Sequence, residues 1–241
     1  MEERLIAFAE SAAAQTPRQV FPRNAVESGP VSLWDHEREA IREMLEGNPD
    51  AISGVRNALR AVVLRGLWQL GVDPRLLVAD ADRLAFEAMF RGVVAKVWSH
   101  DYRETFSVFA QLELRSVFEA ARFPIDHLPE KVTIYRGIAV RGSRLPPRSG
   151  ISWTLRRDLA CWFALHLPGS GGSAMFSLPA GWHPYLLTAT VRREHVSAHM
   201  RDREEDEIIV FGMSARRVSV TSNENDIRAG EARECARRSG S

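Results

Sequence analysis

Three short segments of this chain carry residue types that could do chemistry together. Arg136-Gly137 follows the β-branched and aromatic run Val132-Thr133-Ile134-Tyr135, and arginine's planar fork suits phosphate groups. Ser152-Trp153-Thr154 alternates two hydroxyls about an aromatic ring. Glu204-Glu205-Asp206-Glu207 runs straight into Ile208-Ile209-Val210. Four acids in a row repel one another, and Glu207 abuts a strongly apolar strand. A carboxylate at the edge of a buried strand is partly desolvated, which costs free energy and sharpens its electrostatic interactions. Such arrangements recur where chemistry needs them. Taken singly, each segment also fits a plain role: a strand arginine before a turn glycine, a strand edge leading to a helix cap, or a solvated acidic loop.

These side chains need strands and a helix to hold them, and the local pattern supplies both. Val132 to Tyr135 favours a strand, and residues 151–154 a second, shorter one. Leu155, Leu159, Phe163 and His166 recur at helical spacing over 155–167. Thr154 is placed to cap that helix, and Asp158 lies near the positive end of its dipole. A Gly/Ser/Pro-rich loop follows over 168–184, and further strands are expected over 186–191, 207–211 and 218–221. Residues 222–241 are polar, rich in Arg and Glu, and expected to fray.

The first half reads differently. Residues 1–30 carry Pro17, Pro22, Gly29 and Pro30 and look like a loose lead-in. A helix is expected from Ser32, with a capping-box-like Ser32/Asp35 pair, ending at Gly47-Asn48-Pro49. A second begins near Asp50, with Ile52, Val55, Leu59, Val62 and Val63 on one stripe, and stops at Gly71. A third runs from Asp73-Pro74 to about His100, and a fourth from Tyr102 to Arg122. Arg56, Arg60, Arg65, Arg75, Arg83 and Arg91 have acids interleaved, the pattern of a solvated bundle face rather than a nucleic-acid stripe.

Composition sets the frame. Of the 241 residues 45% are hydrophobic and 26% charged, as in an ordinary globular protein, and a net charge of +1 gives no global field toward nucleic acid or membrane. Lys96 and Lys131 are the only lysines. Cys161 and Cys235 make no disulfide framework, and Cys161 sits in a helical apolar pattern as a buried thiol. The first 20 residues lack a secretory pattern, and no apolar run reaches the ~20 residues of a membrane span. A cytoplasmic location without a membrane partner is therefore expected.

Together and in this order, the segments resemble the mono-ADP-ribosyltransferase superfamily of the arginine–serine–glutamate type. Arg136-Gly137 matches its strand-borne arginine and glycine, and Ser152-Trp153-Thr154 its serine–x–serine/threonine strand. Glu205-Asp206-Glu207 matches its Glu-x-Glu before an apolar strand, and the helix bearing Phe163 also looks like the family's. The resemblance covers about 90 residues, from Val132 to Thr221. It implies an α+β fold: a helical region over 31–125, then a split β-sandwich catalytic domain over 131–221, with 222–241 as a polar tail. It implies NAD as substrate and no metal.

The implied roles make physical sense. Arg136 would grip the pyrophosphate through charge-assisted hydrogen bonds. Gly137 would let the backbone approach the nicotinamide carboxamide, and Ser152 would orient Glu207. Glu207 would stabilise the oxocarbenium-like cation as nicotinamide leaves, and Glu205 would face the acceptor and deprotonate or polarise it. Strand alternation would let both carboxylates reach one site. Trp153, Thr154 and Phe163 would complete the cofactor-binding set. Trp153 and Thr154 replace the Thr and Ser of the best-known toxins, and the short gap between Arg136 and Ser152 resembles compact bacterial and phage members. No His-Tyr-Glu pattern of the poly(ADP-ribose) polymerase branch occurs.

The expected function is transfer of ADP-ribose from NAD to a macromolecule, protein arginine first, with a targeting or neutralising partner on the N-terminal helices. Transfer to a nucleic-acid base, NAD hydrolysis, and a non-catalytic interaction module on a degenerate fold are the alternatives. The spacing of His195 and His199, with Asp202 and Glu204 close behind, suggests a metal, but no HExxH pattern accompanies it. The glycine-rich loop lacks a P-loop lysine. It reads as a flap, with Phe176, Trp182 or Tyr185 covering the nicotinamide.

Overall fold

A computed structural model describes residues 2–15, 33–71, 80–142, 146–168, 175–178, 180–201 and 205–240. The chain divides into two units, residues 1–123 and 124–241. The fold class is α+β, helical in the first unit and built on an antiparallel sheet in the second.

The first unit contains α1 (Glu2–Gln15), α2 (Asp35–Leu45), a 3-10 turn (Pro49–Gly54), α3 (Asn57–Gly71), α4 (Asp80–Val108) and α5 (Gln111–Ala121). Residues 2–15, expected as loose chain, are therefore helical: Leu5, Ile6 and Ala9 recur at helical spacing and are buried. The lead-in prolines, Ser32 and Asp73-Pro74 lie outside the described residues. α2 begins at Asp35, where the Glu37 carboxylate accepts the Trp34 backbone N–H at 2.9 Å. Burial pushes the Glu37 carboxyl up, but the Arg56 fork at 2.7 and 2.9 Å and two backbone N–H donors hold it below the usual range.

Two expected boundaries moved. The helix expected from Asp50 splits into the 3-10 turn and α3. α4 passes through His100 to Val108, because neither glycine nor proline interrupts it there. Among the arginines read as a solvated bundle face, Arg56 binds Glu37, Arg60 the carbonyls of Val55 and Ser53, and Arg65 the Glu113 carboxylate. No helix among the described residues is long and apolar enough to cross a membrane.

In the second unit, β1 (Lys131–Arg141), β2 (Ser152–Thr154), β5 (Trp182–Arg192), β6 (Ala198–Met200), β7 (Glu207–Ile209) and β8 (Val218–Thr221) form one sheet, ordered β6-β7-β2-β1-β5-β8. β3 (His166–Pro168) and β4 (Met175–Ser177) pair separately, so part of the expected 168–184 loop is strand. β1 pairs with β5 along eleven residues, but with β2 only at Tyr135↔Thr154.

The two sheet faces bury different cores. Val132, Ile134, Trp153, Leu187, Ala189 and Ile208 pack on one. On the other, α6 (Arg157–Leu165) sets Ala160, Cys161 and Ala164 against Leu186 and Ile227. Residues 224–239, expected to fray, form α7 (Glu224–Ser239) instead. It buries Ile227, Gly230 and Glu234, and ion pairs also tie it to α6: Arg157 to Asp226 at 2.5 Å and Arg233 to Asp158 at 2.7 Å.

Candidate functional site

Ser152, on the three-residue strand β2, joins the two charged candidates. Its hydroxyl donates to Glu207 Oε1 at 2.5 Å, and its backbone carbonyl accepts from Arg136 Nη1 at 2.7 Å. Strand register explains the first contact. Thr154 lies opposite Glu207 and Ser152 opposite Ile209, so alternation puts Ser152, Thr154 and Glu207 on one face. Arg136 leaves β1 on the face of Ile134 and Ile138, and its guanidinium reaches the β2 backbone. Gly150 passes so close that a Cβ there would lie 2.4 Å from Arg136 Nη1. Arg136, Ser152 and Glu207 are all half-buried.

Trp153 stands elsewhere. It is 2% exposed, packs in the core with Ile208, and donates its indole N–H to the Gly150 carbonyl at 2.9 Å. Alternation points it away from Ser152 and Glu207, and its packing seats β2 in the core. Thr154 is buried and ties the acidic turn: its hydroxyl donates to the Glu205 carbonyl at 2.5 Å and accepts the Arg156 N–H at 3.0 Å. Arg156 occupies the N-cap position of α6 and makes no side-chain cap hydrogen bond there. Phe163 is half-buried on α6, its ring 5.3 Å from that of Trp162.

Gly137 continues β1 rather than ending it. A Cβ there would fall 1.8 Å from the Ala160 carbonyl oxygen and 2.5 Å from the Ala164 nitrogen. The α6 backbone therefore occupies the space a side chain would need, and close helix–strand contact is the structural reason for glycine here.

Strand alternation does not relate Glu205 to Glu207, because β7 starts at Glu207 and Asp206 has φ 44°. Asp is among the few non-glycine types that adopt this left-handed conformation readily. The turn is pinned on both sides. Leu155 N–H donates to the Asp206 carbonyl at 3.1 Å, and His199 Nε2 donates to its carboxylate at 3.3 Å. With Nε2 donating, His199 Nδ1 accepts from His127 Nε2 at 2.7 Å. Burial is the main force pushing the His199 pKa down, with Arg201 and His127 adding to it against the pull of Asp206. That direction favours the neutral ring, the form in which Nδ1 can accept from His127.

The pairing of His127 with His199 was not visible in the sequence, since 72 positions separate them. His199 is buried and His195 exposed, and Asp202 and Glu204 lie outside the described residues. Among the described residues no His, Cys, Asp or Glu side chains gather in a metal-holding group. Of the flap candidates, Trp182 and Tyr185 are half-buried on β5, and the Phe176 side chain lies outside the description. Gly169 to Ser173 lie outside it too.

A half-buried carboxylate held by a hydroxyl, with a guanidinium on the same residue's carbonyl, can stabilise developing positive charge beside a bound anion. No family model matches the chain, nor does any curated protein or solved structure.

Proposed function

We propose that residues 124–241 bind NAD and transfer its ADP-ribose to a macromolecular acceptor, protein arginine first. The observation that supports this most is that Arg136 of β1 and Glu207 of β7 both bond Ser152 of β2, one at its backbone carbonyl and the other at its hydroxyl. In this reading the sheet is the split β-sandwich of the mono-ADP-ribosyltransferases. Its halves, β6-β7-β2 and β1-β5-β8, part just beyond the single β1–β2 pair, at Arg136. NAD lies in that parting, with its pyrophosphate on Arg136.

The ribose–nicotinamide C–N bond breaks, and its electron pair leaves with nicotinamide. Glu207, fixed by Ser152, faces the cation that forms on the ribose. The acceptor nitrogen then bonds to the ribose carbon and gives its proton to Glu205. The protein's own groups suffice, without a metal.

Arg136→Lys keeps the charge but loses the fork. NAD binding is expected to weaken by about 1–3 kcal/mol, the worth of a charged hydrogen bond, with thermal melts as the folding control. Calorimetric titration of NAD into both proteins checks this, and equal dissociation constants would remove Arg136 from the cofactor site. Glu205→Gln is expected to cut protein labelling far more than nicotinamide release, since only the second half of the reaction needs that carboxylate. Equal losses in both would end this division of roles.

A further inference from the structure

Between two apolar residues, Ala198 and Met200, the middle position of β6 holds a histidine whose side chain is 1% exposed. Cross-strand register sets His199 opposite Ile208, and Ile208 opposite Trp153. All three therefore lie on one buried face of the sheet, away from Ser152 and Glu207. An apolar side chain would seal that position without desolvating a polar group, whereas a histidine there needs a partner at each nitrogen. His199 has both: Nδ1 accepts from His127 Nε2 at 2.7 Å, and Nε2 donates to Asp206 Oδ1 at 3.3 Å. His127 is exposed, and the half-buried Asp206 carboxylate has Arg201 as a further charged neighbour, at 3.9 Å. The chain of hydrogen bonds thus runs from solvent through the core and ends on the acidic turn.

Backbone geometry says what that end point controls. Asp206 has φ 44°, a conformation that costs a non-glycine residue free energy and persists where its surroundings hold it. Its two neighbours are supported separately. Glu207 lies in the β7 ladder and accepts from Ser152 Oγ, while the Glu205 carbonyl accepts from Thr154 Oγ1. With both flanks fixed, the Asp206 torsions set the direction in which Glu205 leaves the turn relative to Glu207. Leu155 N–H holds Asp206 by its carbonyl and His199 holds it by its carboxylate.

We propose that His199, backed by His127, is a positioning residue that fixes the Asp206 turn and so aims Glu205 at the acceptor. The proposal rests on the NAD chemistry proposed above and adds a residue that supports transfer without supporting bond cleavage. From the opposite face of the sheet His199 does not reach the reacting atoms, and it acts through Asp206. Glu207 keeps its own supports.

The test measures protein labelling and nicotinamide release side by side, in the full chain with NAD and a cell extract. His199→Phe keeps the bulk of the ring and loses both hydrogen bonds. His127 and Asp206 can turn to water, so the fold should hold, and thermal melts verify it. The ratio of labelling to release is expected to fall about tenfold, the worth of one hydrogen bond to a charged group, with release close to the parent rate. His199→Gln, whose amide N–H can still donate to Asp206, should restore most of the ratio, which a packing role alone would not do. Asp206→Ala cuts the same bond from its other end and should lower the ratio at least as far. Combined with His199→Phe it should add little, because the two substitutions remove one interaction. If His199→Phe does not fold, Asp206→Ala is read in its place. Exchange of the Leu155 amide hydrogen, which bonds the Asp206 carbonyl, should quicken in either variant whether or not NAD is present. An unchanged ratio, unchanged Leu155 exchange, or His199→Gln as impaired as His199→Phe overturns the proposal. A parent protein that releases no nicotinamide ends the NAD chemistry and this inference with it, an outcome told apart from the others because it precedes any substitution.

Discussion

Glu207→Gln is expected to slow nicotinamide release from NAD by ~100-fold or more, the scale of removing one preorganised electrostatic group. Glutamine keeps the size of the side chain, and its carbonyl can still accept from Ser152 Oγ, which donates to Glu207 at 2.5 Å. The fold should therefore survive, and what is lost is the negative charge opposite the ribose cation. Ser152→Ala should act through Glu207, removing one hydrogen bond that orients its carboxylate, with a smaller loss than Glu207→Gln itself. Rates for the purified variants, with thermal melts alongside, decide the matter. A Glu207→Gln protein that releases nicotinamide at the parent rate would show that the carboxylate plays no part in bond breaking.

Gly137→Ala is expected to destabilise the second unit by at least about 3 kcal/mol, the upper end of overpacking costs. The added carbon would lie 1.8 Å from a backbone oxygen of α6, and backbone cannot rotate aside as a side chain can. Either α6 lifts from β1, uncovering Ala160, Cys161 and Ala164, or β1 bends away from β5. Urea denaturation compared with the parent reads the loss directly. Were Gly137 needed only for approach to a cofactor, stability would hold and NAD affinity alone would fall. An unchanged midpoint would contradict the close-packing account.

Much of the second unit could be read from local pattern. β8 occupies the expected residues 218–221, and Cys161 is buried within a helix as its apolar neighbours imply. The failures have physical causes. Gly137 looked like the end of a strand because its partner, the α6 backbone, comes from more than twenty positions away. α7 was hidden because arginine–carboxylate pairs hold it, and apolar periodicity does not register those. β6 has three residues, one of them His199, too few for alternation to show.

The candidate site divides in the same way. Arg136, Ser152 and Glu207 could be singled out by residue type and order. Their geometry could not, because it depends on contacts across 16 and 55 positions. The pairing of Glu205 with Glu207 by strand alternation failed for a local reason, the left-handed turn at Asp206. That turn is held from a distance by Thr154, Leu155 and His199. The core position of Trp153 was not legible because an aromatic between two hydroxyls gives no sign of which face is core, and the register with Ile208 places it there.

The central claim is that this chain cleaves NAD and moves ADP-ribose, and incubation with doubly labelled NAD and a cell extract tests it most directly. One label sits on nicotinamide and the other on the adenine. The account predicts that free nicotinamide accumulates while adenine label enters protein, and that both signals collapse with Glu207→Gln. Adenine label in nucleic acid would keep the chemistry and change the acceptor, and label only in free ADP-ribose would reduce the activity to hydrolysis. NAD recovered intact, with both labels still on one molecule, would contradict the account.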